Sequence, residues 1–267
     1  MSDAAATGAT PGAAPLVVVH PDPAVLAEAA AARLLTLLLD AQSVRTPVHA
    51  VLTGGTVGIK TLAAVAASPL RAAVDWSGVH LWWGDERFLP DGDPDRNETQ
   101  ARAALVDALV DASGLPADHV HAMPARGAVA GGRTVETPEQ AADAYAAELA
   151  RFAGAAVAVP EFDVLLLGMG PDGHVASLFP GHDGLGARGA TVGVHGSPKP
   201  PPERVSLTFD AIGRAREVWV VAAGAEKAAQ AAAALAGGPV AEVPAAGARG
   251  TARTLWLLDA AAAAPLA

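Results

Sequence analysis

The chain has 267 residues, 51% hydrophobic and 17% charged, enough to bury a core in one large domain or two small ones. A net charge of −10 argues against a general nucleic-acid binder or a protein of anionic membrane surfaces, and the apolar interior argues against disorder. With no cysteine, disulfide scaffolds, cysteine zinc sites, iron–sulfur clusters and thiol nucleophiles are excluded.

Residues 1–15 are small and polar, without a basic start or a long apolar run, and read as a flexible tail rather than a secretion signal. No apolar run reaches the roughly 18 uncharged residues of a membrane span. The best, Val25 to Leu39, contains Glu28 and Arg33. Residues 16–267 are expected to form a single cytoplasmic α/β domain.

Taken in order, Leu16 to His20 reads as a buried strand and Pro21 to Asp40 as the helix after it. Val48 to Leu52 is a second strand, running into the loop Thr53-Gly54-Gly55-Thr56 and a helix to about Ala67. Val79 to Trp83 is a third, followed by the polar loop Gly84-Asp85-Glu86-Arg87. Glu98 to Val110 and Pro138 to Phe152 read as helices, with a Gly-rich loop from Ala125 to Thr137 before the second. Phe162 to Leu167 is a strongly apolar strand feeding Gly168-Met169-Gly170-Pro171-Asp172-Gly173-His174, and Gly181 to Pro202 reads as loop. Val205 to Phe209, Glu217 to Ala222 and Thr254 to Leu258 are strands, with a helix from Ala225 to Leu235. Strands apolar throughout, alternating with helices, predict a Rossmann-like three-layer α/β fold: a mostly parallel sheet with helices on both faces.

In such a sheet, ligands bind at the carboxyl ends of the strands. The loops at 53–56, 84–87 and 168–174 all follow apolar strands and should converge on one crevice. Thr53 to Thr56 precede a helix, so their backbone N–H groups either cradle an anion or form an ordinary tight turn. Residues 168–173 satisfy G-x-G-x-x-G, but the motif comes late in the chain, and no acidic residue ends a strand about 20 residues on, as dinucleotide binding requires. His174, Gly-flanked at the mouth of the most apolar strand, is placed to exchange a proton with water near neutral pH. His20, His49, His80, His119 and His121 read as core or structural side chains. A His174–His182 metal pair matches no standard spacing, and G-x-S-x-G is absent. Arg87 is a loop charge, a surface ion pair or an anion ligand. Lys199, between prolines, is either solvated or a cation aimed by a stiff loop.

Five segments in the same order resemble the glucosamine-6-phosphate isomerase/6-phosphogluconolactonase family. They are TGGT at 53–56, WWGDERFLP at 82–90, DPDRNETQAR at 93–102, FDVLLLGMGPDGHVASLFPGH at 162–182 and SPKPPPERVSLTFDAI at 197–212. The SLFP continuation after DGH resembles the lactonase branch rather than the deaminases. Thr56 stands where the family often has serine, and Asp95-Arg96-Asn97-Glu98 where many members read Asp-Ser-Asn-Tyr, so a tyrosine contact cannot be carried over. The resemblance implies hydrolysis of 6-phospho-D-glucono-1,5-lactone in the oxidative pentose phosphate pathway, without metal or organic cofactor. It implies His174 as general base, Asp172 orienting the imidazole or the sugar, and Arg87 and Lys199 on the 6-phosphate. Thr53, Gly54, Gly55, Thr56 and Gly170 would complete the substrate contacts. The expected partner is this small lactone, with no nucleic acid and no membrane, on a monomer or small homo-oligomer. Rival readings are an amino-sugar phosphate deaminase, a non-catalytic sugar-phosphate sensor and a nicotinamide oxidoreductase.

Overall fold

The computed structural model describes residues 14–154 and 158–266, so nearly all of the expected tail lies outside the described residues. Strand β1 (Leu16–His20) leads into α1 (Pro23–Gln42). Asp22 fixes the helix start: its carboxylate accepts from the N–H groups of Ala24 and Val25, with Pro23 at the first helical position. Then come β2 (Val48–Leu52), α2 (Gly55–Ala67), β3 (Val79–Trp83) and the short β4 (Asp85–Arg87). The next helical stretch joins α3 (Asn97–Ala101) to α4 (Asp107–Ala112) through a π-type turn at 102–106. Strand β5 (Val120–His121), the hairpin β6 (Val129–Ala130) and β7 (Arg133–Thr134), and α5 (Pro138–Arg151) follow. The chain continues through β8 (Val164–Gly168), β9 (Thr191–Val194), β10 (Arg204–Leu207), α6 (Phe209–Ile212), β11 (Glu217–Ala222), α7 (Ala228–Leu235) and β12 (Arg253–Asp259).

Seven strands form one sheet in the order β1-β12-β11-β8-β2-β3-β5, and every pairing in it is parallel. Side chains alternate across it with the period of two that a pleated strand imposes. Val164 and Leu166 of β8 pack into the layer of α1 and α2, while Leu165 and Leu167 face the layer of α5 and α7. Leu255 and Leu257 of β12 divide from Trp256 and Leu258 in the same way. Both faces are covered, so the strands read as apolar runs, and the expected doubly covered α/β architecture is present.

The structure corrects the sequence reading at five places. Strand β1 is an edge rather than a buried strand, with Leu16 and Val19 about half exposed. The 84–87 segment is not a loop. Residues Asp85–Arg87 form β4, which pairs antiparallel with β10, and β10 pairs antiparallel with β9 in a second, three-stranded sheet. The expected strand at 205–209 therefore belongs to that small sheet and stops at Leu207, where the Thr208 hydroxyl accepts from the Ala211 N–H and starts α6. The supposed loops at 181–202 and 125–137 contain β9 and the β6–β7 hairpin.

Four of the eight histidines gather where β2, β3 and β5 begin. Trp82 Nε1 donates to His49 Nδ1 at 3.1 Å, which makes that nitrogen an acceptor. His121 Nδ1 lies 2.9 Å from Glu148 Oε1 and its Nε2 lies 2.8 Å from His80 Nδ1. With His121 neutral and donating to the carboxylate, its Nε2 must accept from His80. His119 stacks on His80 at 3.8 Å between ring centroids. Burial, with neighbouring histidines, pushes His49 down to about 3 and His80 down to about 4. The structural assignment made from sequence for these residues agrees with this buried, hydrogen-bonded arrangement.

Candidate active site

A cavity of about 370 Å³ opens at the carboxyl ends of β2, β8 and β11. The sheet alone brings two of the three sequence-flagged segments there, and β4 brings the third from the small sheet. Thr53, Gly54, Gly55, Thr56, Arg87, Gly170, His174 and Lys199 all line it. Asp172 reaches its edge through His174 and Lys199.

Strand β8 ends at Gly168, and its N–H donates to Thr53 Oγ1 at 3.0 Å, tying the β2 and β8 ends together. The chain then turns without entering a helix. Gly170 N donates to His174 O at 2.9 Å, and Gly173 N to Gly170 O at 3.0 Å, folding residues 170–174 into a compact loop. The helix that a pyrophosphate-binding G-x-G-x-x-G needs is therefore missing from this position. Inside the loop, His174 Nδ1 lies 2.5 Å from Asp172 Oδ1. A Cβ on Gly170 would stand 2.1 Å from both Nδ1 and Cε1 of His174. Gly170 lines the cavity, but its demonstrable task is to make room for the His–Asp pair.

Burial works against the Asp172 carboxylate, but the hydrogen bond and charge of His174, with Lys199 beyond, outweigh it and hold the group well below the usual carboxylate range. Asp172 therefore stays ionised at neutral pH and holds His174 with Nδ1 as donor, which leaves Nε2 as the basic nitrogen. The imidazole also packs on Phe179, 4.4 Å between ring centroids.

Gly54 caps α2 without a side-chain hydrogen bond, and Gly55 and Thr56 are exposed, so the first-turn N–H groups lack a protein side-chain partner. Such a helix start favours an anion. Lys199 Nζ lies 3.5 Å from Asp172 Oδ1. Arg87 is half-buried and donates from Nη1 to Asp95 O at 2.6 Å. His182, set aside above as a metal partner of His174, is engaged elsewhere: its Nε2 lies 2.7 Å from His195 O, and its Nδ1 accepts from Gly184 N.

Of the polar cavity residues, Asp85 was expected in the crevice with the 84–87 segment but given no role, and Asn97, Arg204, Glu226 and Lys227 were missed. Asn97 is buried and donates from Nδ2 to Asp85 O at 2.8 Å. Its Oδ1 would lie 1.8 Å from a Cβ on Gly54, which explains that glycine by close approach. Glu86 seats Asn97 by accepting from the N–H groups of Asn97 and Glu98 at 2.6 and 2.8 Å, capping α3 from another strand. Burial pushes Glu86 up to about 7, against Arg96 and three backbone N–H donors. Lys227 follows the end of β11, where burial lowers its pKa against the pull of Glu226, with Lys199 adding to the lowering. The rule that flagged the other strand-end loops applies equally to 223–227. Arg204 is opposite Arg87 across the β4–β10 ladder.

The fold and this crevice define a Rossmann-like α/β protein with a His–Asp pair beside a cavity lined by Arg87, Lys199, Arg204 and Lys227 and by the start of α2. Residues 21–256 match the family model described as glucosamine-6-phosphate isomerases/6-phosphogluconolactonase. The chain is 57% identical to 6-phosphogluconolactonase of Streptomyces coelicolor, covering 94% of this chain and 95% of that one. Against 6-phosphogluconolactonase of Mycobacterium tuberculosis it is 44% identical, over 94% and 98%. A solved structure of 6-phosphogluconolactonase from Trypanosoma brucei superposes with a TM-score of 0.79 at 30% identity, over 95% and 99%. The chain belongs to the glucosamine-6-phosphate isomerase/6-phosphogluconolactonase family.

Proposed function

We propose that the protein is a lactone hydrolase that opens 6-phospho-D-glucono-1,5-lactone to 6-phospho-D-gluconate, a step of the pentose phosphate pathway. The observation that carries the mechanism is the His174–Asp172 contact at 2.5 Å inside a cationic cavity. Identity to 6-phosphogluconolactonases over nearly the whole chain supports the substrate.

In this reading His174 Nε2 takes a proton from water as the water oxygen bonds to the lactone carbonyl carbon. The tetrahedral intermediate then collapses, the bond from that carbon to the ring oxygen breaks, and imidazolium returns the proton to the leaving oxygen. Asp172 stays ionised throughout and stabilises the imidazolium. A δ-lactone is an activated ester, so positioning plus one base suffices without a covalent nucleophile. Arg87 supplies a planar fork and Lys199 a point charge for the 6-phosphate, with Lys227 and the start of α2 completing the pocket. Gly54 and Gly170 serve by their lack of a side chain.

No described helix is long and apolar enough to cross a membrane. A sugar-phosphate lactone substrate fits a cytoplasmic enzyme acting as a monomer or small homo-oligomer.

The test is hydrolysis of the lactone generated in situ, corrected for spontaneous opening, alongside ammonia release from glucosamine 6-phosphate. Enzyme-dependent lactone loss without ammonia is expected; ammonia release without lactone loss would overturn the assignment.

A further inference from the structure

We propose that Arg204 is a positioning residue that holds the 197–202 loop so that Lys199 meets the anionic end of the substrate. This rests on the phosphate reading above. Arg204 is 4% exposed and stands directly across the ladder from Arg87, a like-charge pairing that costs stability in a sheet. Its hydrogen bonds explain why it is kept. Nε donates to Pro201 O at 3.2 Å, and Nη2 donates to Lys199 O at 3.0 Å and Pro200 O at 3.1 Å. Three consecutive carbonyls of one loop are thus gathered by one guanidinium.

That loop is short of bonds of its own, because Pro198, Pro200, Pro201 and Pro202 have no N–H to donate. What closes it is Ser197, whose N–H donates to Pro202 O at 3.0 Å and whose Oγ donates to Lys199 O at 2.9 Å. The Lys199 N–H donates back to Ser197 Oγ at 3.3 Å. Arg204 and Ser197 therefore converge on the carbonyl of Lys199. The guanidinium also lies 5.6 Å over the Phe179 ring, the same ring that packs on His174. One buried cation touches both the mount of the phosphate lysine and the platform of the base.

If Arg204 acts through Lys199, removing either should cost much the same, and removing both little more. The experiment is a double-mutant cycle of Arg204→Ala and Lys199→Ala, with kcat and KM measured on 6-phospho-D-glucono-1,5-lactone and on unphosphorylated glucono-1,5-lactone. Arg204→Ala should raise KM for the phosphorylated lactone about 10-fold, with a clearly smaller effect on the neutral one. The double variant should fall within about 3-fold of Lys199→Ala alone. Ser197→Ala should shift KM in the same direction, and it carries the test if Arg204→Ala does not fold. Arg204→Lys should not rescue, because a single ammonium cannot span three carbonyls. Losses that multiply in the double variant, or equal losses on both lactones for Arg204→Ala, would overturn the inference. If Lys199→Ala itself loses equally on both lactones, the phosphate reading fails, and the cycle still decides whether Arg204 works through Lys199.

Discussion

One glycine and one alanine show how closely the turn after β8 is built. A methyl group on Gly170 would collide with ring atoms of His174 and with Asp172 Oδ1 at 2.4 Å, all of them side-chain atoms that can yield. Gly170→Ala should therefore fold with a melting temperature near wild type but displace the base, lowering kcat about 100-fold, the usual cost of an ångström of misplacement. Thermal unfolding and steady-state kinetics on one preparation check both halves. Ala176, which lines the cavity, is the one non-glycine among the described residues with positive φ, at 49°. A left-handed alanine is strained by roughly 1 kcal/mol, so Ala176→Gly should cost little or nothing in urea stability, unlike glycine at an ordinary position. Asp172→Asn should leave a side chain that no longer stabilises imidazolium, and kcat should drop about 10²–10⁴-fold with KM little changed.

At the scale of elements, the central sheet was legible because buried parallel strands are apolar on both faces, and β2, β3 and β11 begin and end where their apolar runs do. The small sheet was not. Only β10, expected at 205–209, was read as a strand; Asp-Glu-Arg of β4 and Thr-Val-Gly-Val of β9 are too short to show a period, and long-range pairing makes them strands. For the same reason Arg204 escaped notice while His174, Asp172 and Lys199 did not: the latter lie in turns rich in glycine or proline. The histidine cluster at the opposite ends of β2, β3 and β5 has its own consequence. His49 and His80 titrate lower folded than unfolded, so the unfolded chain binds more protons below about pH 6.5 and stability falls with acidification toward the folded values. At pH 5 the cost is roughly 2 kcal/mol for each histidine. Glu86, pushed up, contributes the opposite slope, so wild type is best compared with His80→Gln. Urea unfolding at pH 7 and pH 5 should show a loss on acidification that is smaller in the variant, and equal losses would remove His80 as a source of acid lability.

For the whole molecule, a net charge of −10 disfavours a phosphorylated substrate on average, while Arg87, Lys199, Arg204 and Lys227 gather on one cavity. Added salt should therefore reduce kcat/KM for the phosphorylated lactone several-fold more than for the neutral lactone, as measured from about 50 to 500 mM. Parallel declines would place the phosphate outside this patch. In the proposed mechanism one imidazole, held by Asp172 at the end of β8, activates water in this cavity. The most direct measurement of that step is kcat of folded His174→Ala against wild type on 6-phospho-D-glucono-1,5-lactone, corrected for spontaneous opening and with circular dichroism confirming the fold. A loss of about 10²–10⁴-fold is the predicted result, and near wild-type turnover by the folded variant would contradict it.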